Sequence, residues 1–218
     1  MGDLISTFSL QESALGHLTS AVQFGFISGT LLFAILTIAD RFSPSKVFLI
    51  SALLGSLFNL GILFSGNTLS SLVVLRFFTG FFLAGIYPVG MKIATDYYDK
   101  GLGKSLGFLV GALVVGTAFP HLLKGITALF SWKTVIMSTS TLAVFGGVLM
   151  FGFVSDGPFR KASQKVDISA FFKVFENKSF RAAAFGYFGH MWELYAFWAF
   201  VPFMSVSYTH LTLPTIYS

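Results

Sequence analysis

The 218-residue chain contains no cysteine, and only 11% of its residues are charged. The first absence excludes disulfides and thiolate metal sites. The second excludes an ordinary soluble domain, in which about 25% of residues carry charge. No GxxxxGK[ST] stretch occurs, which disfavours work driven by a nucleotide. The four histidines are scattered without metal-ligand spacing, so neither a metal nor another cofactor is implied. Met1 to Glu12 lacks the basic start and apolar core of a signal peptide; Met1 to Ser13 reads as a short polar loop. What the chain does have is 55% hydrophobic residues, 28 phenylalanines and a mean hydropathy of +0.79, a composition that makes lipid the natural solvent.

Six apolar runs are long enough to cross a bilayer: His17 to Ala39, Val47 to Phe64, Leu69 to Met91, Ser105 to Leu123, Thr134 to Val154 and Ala182 to Met204. As a helix, the first would cover roughly 34 Å. The expected fold class is therefore all-α, a polytopic transmembrane helical bundle. The formal charge of +5 sits in the connections, which makes it topological and implies no nucleic-acid partner. Eleven Lys and Arg lie after the first, third and fifth runs, against two after the second and fourth. The positive-inside rule then places the basic loops in the cytoplasm of a cell membrane and the start of the first run outside. Such a start is awkward to insert alone, so a further crossing upstream of Met1 is expected.

The third run carries Arg76 in its apolar part. A central membrane arginine costs at least ~2.5–3.5 kcal/mol, so it is turned inward, paired, or placed on a polar pathway. Gly80 and Ala84 stand four apart on one face, where a neighbouring helix can approach closely. Pro88 removes a backbone donor and predicts a kink or local unwinding. In the sixth run Glu193 sits near the middle, with His190 and Tyr187 at three-residue intervals before it on the same face. That spacing suits a proton relay or a polar contact with solute at the midplane. His17, Gln23, Asn59 and His121 are expected to be satisfied locally. Apolar residues in Asp167 to Phe180 recur at helical spacing and predict an amphipathic helix on the membrane interface.

Several of these residues resemble the major facilitator superfamily of secondary transporters. Asp40-Arg41 with Lys46 is similar to that family's loop signature between its second and third helices, although Leu36, Ser43 and Pro44 stand where glycine, glycine and a basic residue are usual. Arg76 with Gly80 and Gly85 resembles its fourth helix, and Gly107, Gly111 and Gly116 its glycine-rich fifth, where they read first as packing residues. The resemblance implies a truncated bundle holding helices two to seven of twelve. Residues 1–154 then form an incomplete first bundle, 155–181 a cytoplasmic linker and 182–204 the first helix of the second bundle. Residues 205–218 lose helical period and read as a non-native tail.

The implied function is alternating-access transport of a small solute, coupled to protons or another gradient. Arg76, Tyr187, His190 and Glu193 would lie on the pathway, and Asp40, Arg41 and Lys46 would latch the gate. As it stands, with one helix of the second bundle, the chain is expected not to alternate access. The rival is a multi-span receptor or sensor that binds without moving solute. An enzyme is disfavoured, because one carboxylate and one histidine stand together with no second acid.

Overall fold

Proline and hydroxyl side chains set where the helices begin. The computed structural model describes residues 6–11, 13–126 (120–126 as backbone only), 131–160, 173–194 and 196–197. The chain divides into two units, Met1–Gln164 and Lys165–Ser218. In the first unit, α1 (Ala14–Ile35) is followed by the short α2 (Ile38–Arg41). The single run expected over His17 to Ala39 is thus broken. Thr37 adopts a left-handed backbone, φ 47° and ψ 42°, which ends the ladder of hydrogen bonds. Helix α3 (Pro44–Gly61) starts three residues before the expected Val47, because Pro44 in the first turn has its φ already set and needs no donor there. Helix α4 (Leu69–Leu83) opens on a capping box: Ser71 N donates to Thr68 Oγ1, and Thr68 N to Ser71 Oγ.

Between α4 and α5 (Tyr87–Tyr97) the α-helical ladder breaks at Ala84–Ile86, where the amides of Ala84, Gly85 and Ile86 bond three residues back in tighter turns. Pro88 has no N–H to offer the Ala84 carbonyl and crowds it, which accounts for the break just upstream. Helices α6 (Leu102–Ile126) and α7 (Trp132–Phe153) complete the unit. Five stretches are long and apolar enough to cross a membrane: Ala14–Ile35, Pro44–Gly61, Leu69–Tyr97, Leu102–Phe119 and Trp132–Phe153. The described residues contain no strand.

Helix α1 packs along α4, and α3 packs against α7 and α4. Leu18, Ile62, Leu72 and Ile136 form a buried cluster where these helices meet. The α1–α4 contact is close because it is made of glycine. A Cβ at Gly25 would fall 2.0 Å from Phe77 O, one at Gly29 2.4 Å from Phe81 O, and one at Gly80 2.0 Å from Val22 O. Polar side chains join α3 to α7: Ser56 Oγ donates to Ser140 O at 3.1 Å, and Asn59 Nδ2 to Ser140 Oγ at 2.9 Å. Such bonds hold helices together where lipid offers no competing partner. Thr7 and Phe8, in the stretch expected as a polar loop, instead pack on the bundle. Phe8 meets Trp132 at 6.1 Å between ring centroids, and Trp132 Nε1 donates to Thr7 Oγ1. Helix α6 differs from the other long helices of the unit, with no buried side chain over residues 102–119.

The second unit is helical over residues 173–176, 178–194 and 196–197. Asn177 starts its longer helix, its Oδ1 accepting from the amides of Ser179 and Phe180. The remainder of the sixth run, residues 167–172 of the amphipathic stretch expected before it, and residues 205–218 lie outside the described residues.

Candidate functional site

Charge gathers at one end of the first unit. Lys92 and Asp96 lie four apart on α5, and Lys92 Nζ bonds Asp96 Oδ1. The same ammonium stands 3.4 Å from Asp40 Oδ1, on α2. One cation therefore serves two carboxylates. Asp96 is buried, and its Oδ2 has no hydrogen-bond partner among the described residues. The segment after α7 closes over this group. Phe159 N donates to Asp96 O at 3.0 Å, and Tyr97 OH donates to Ser155 O at 2.7 Å. Ser43 Oγ donates to Asp156 Oδ1 at 2.7 Å. Arg160 bonds Asp156 Oδ2 and donates to the carbonyls of Phe42, at 2.8 Å, and Asp40, at 3.3 Å. Gly157 permits the approach, since a Cβ there would fall 2.2 Å from Asp96 O. Residues 155–160 thus pack on the first unit.

The three loop residues singled out in the sequence part company. Asp40 joins the Lys92 group. Arg41 and Lys46 have no side-chain hydrogen bond or ion pair among the described residues. They flank a cavity of about 480 Å³ whose other lining residues include Phe33, Ile38, Phe42, Val47, Ile50 and Phe82. Lys92, Asp96, Asp156 and Arg160 are the residues that sequence reasoning missed. A signal existed, because both acid–base pairs stand at a spacing of four.

Arg76 lies deeper in the unit. Leu72, Arg76 and Thr79 share one face of α4; Leu72 and Thr79 are buried and Arg76 is half-buried between them. Leu72 belongs to the four-residue cluster, so this face looks into the bundle. Thr79 Oγ1 is bonded back to Leu75 O at 2.8 Å. Arg76 itself makes no hydrogen bond or ion pair among the described residues. A second cavity, about 810 Å³, lies between α1 and α4 and is lined by His17, Phe24, Phe77 and Phe78 among others, without Arg76.

Tyr187, His190 and Glu193 lie on the helix of the second unit, each exposed within it. They share a face by their spacing, and none has a hydrogen-bond partner among the described residues. Gly80 makes the close contact with Val22 described above. At Gly85 a Cβ would fall 2.0 Å from Ser51 Oγ. Gly107, Gly111 and Gly116 face open space, with no atom of the described residues within 4 Å of a Cβ placed there. Among the described residues no three His, Cys, Asp or Glu stand close enough to hold a metal ion.

A helical, multi-span architecture, an inward-looking arginine and a charged cluster at the helix ends agree with what comparison of the sequence finds. Neither the curated proteins nor the solved structures give a match. The sequence model of the Major Facilitator Superfamily, by contrast, matches residues 1–218, and the chain is therefore a multi-pass membrane protein belonging to the Major Facilitator Superfamily.

Proposed function

We propose that the chain works in a secondary transporter that moves a small solute by alternating access, driven by a proton or other gradient. The observation that carries this reading is Arg76, a half-buried guanidinium on the inward face of α4 with no acidic partner among the described residues. An arginine in an apolar span is retained at a cost of about 2.5–3.5 kcal/mol. A lone inward cation suits a pathway better than a structural pair. Tyr187, His190 and Glu193 supply acidic and titratable groups on one face of the second unit, which suits proton coupling. The Asp40–Lys92–Asp96 group, with its covering segment, is suited to hold the gate, and its basic surroundings are assigned to the cytoplasmic side.

The test is uptake by the full-length protein in sealed vesicles under an imposed proton gradient. Accumulation of a solute that collapses on adding an uncoupler is the expected result. Saturable binding of that solute without accumulation would instead make the protein a receptor or sensor.

A further inference from the structure

We propose that the cavity beside the loop after α1 binds an anionic phospholipid, with its phosphate on Arg41 and Lys46 and part of an acyl chain against Phe33, Val47, Ile50 and Phe82. This rests on the chain crossing a membrane and not on its transporting anything.

The two cations are free to take an anion. Nearby acids are engaged elsewhere: Asp40 with Lys92, and Asp156 with Arg160 and Ser43. Arg41 and Lys46 are exposed and have no side-chain partner among the described residues. Lys46 also lies in the first turn of α3, where the helix dipole adds positive potential. Behind the charges the lining turns apolar, and the volume of about 480 Å³ falls within the usual range for small-molecule sites. Phe42 and Ile50, 61% and 55% exposed, carry the apolar surface from the cavity outward.

Position decides between an amphiphile and a soluble anion. The cavity lies where α1 ends and α3 begins, two helices long and apolar enough to span. That is the depth at which a lipid presents its phosphate to water and its chain to the protein. A free phosphate would use the two cations and leave the apolar floor uncovered. A basic pocket between spanning helices, at their charged end, matches the chemistry of an acidic headgroup.

Phe42→Trp places a fluorophore at the rim. The full chain is reconstituted in phosphatidylcholine vesicles carrying equal mole fractions of brominated phosphatidylglycerol or brominated phosphatidylcholine, and quenching is compared with and without the added tryptophan. The expected preference for phosphatidylglycerol is about fivefold for each basic residue, roughly 25-fold together. Arg41→Gln and Lys46→Gln each reduce it about fivefold, and the double variant removes it. Lys100→Gln, a basic residue away from the cavity, leaves it unchanged. Equal quenching by the two lipids, or a preference that survives the double variant, overturns the proposal. Loss of the preference when inorganic phosphate is added in excess, at constant ionic strength, assigns the cations to a soluble anion and equally overturns it.

Discussion

The Lys92 ammonium lies 3.4 Å from the Asp40 carboxylate while also bonding Asp96, its neighbour one turn further along α5. The two acids are placed differently. The Asp40 side chain is 38% exposed and that of Asp96 only 6%. Water can solvate the first readily if the lysine leaves, whereas the second is largely shielded from it. The pair Lys92–Asp96 therefore dominates the energetics, and Asp40 links the loop to it.

Lys92→Gln should consequently destabilise the chain by about 1–3 kcal/mol, because it leaves a buried carboxylate without a cation. Asp40→Asn should cost less than about 1 kcal/mol, as an exposed pair does. Adding Asp96→Asn to Lys92→Gln should recover most of the loss. Thermal unfolding in detergent reads all three, and equal losses for Lys92→Gln and Asp40→Asn would sink the assignment of Asp96 as the dominant partner.

Glycines at the same spacing should respond in opposite ways. Gly25→Ala and Gly80→Ala push a methyl to within 2.0 Å of a carbonyl oxygen on the facing helix. Separating the helices should cost about 1–3 kcal/mol or more. Gly107→Ala and Gly111→Ala meet nothing within 4 Å among the described residues. They should be neutral or raise stability by up to about 1 kcal/mol through helix propensity. Denaturant unfolding of the four single variants separates the classes, and a loss at Gly107 as large as that at Gly25 would show a neighbour on α6.

These glycines also show how far the sequence can be read. The apolar runs appear as helices because a spanning segment must satisfy its own backbone, and a length near twenty residues is its direct record. Spacing of four marks a helix face able to approach a partner, yet Gly25 and Gly29 find one while Gly107 and Gly111 do not. Nothing local distinguishes the two pairs, since the difference lies in the facing helix. The break at Thr37 is equally silent, because threonine is not a residue that advertises a left-handed turn. Pro88 does announce the break in the helix before it. For the charged cluster, the i,i+4 pairs were present in the sequence, but Asp40 meeting Lys92 across 52 positions is a property of the fold. Phe8 and Trp132 likewise join segments that the sequence separates.

Arg76 offers the sharpest division between structure and transport. With no acidic partner among the described residues, replacing it by glutamine orphans no buried carboxylate among them, and it removes a charge from an apolar span. Stability of Arg76→Gln should therefore equal or exceed that of the parent. If Arg76 holds an anionic group of the solute or of the coupling pathway, uptake should fall about 10- to 100-fold, the range for losing a charged hydrogen bond. Arg76→Lys keeps the charge without the planar fork, so it should retain intermediate activity. Uptake and unfolding measured on the same preparations decide the matter. Unchanged uptake in Arg76→Gln removes Arg76 from the pathway. A loss of activity matched by a loss of stability marks it as a structural residue whose partner lies among the remaining residues of the protein.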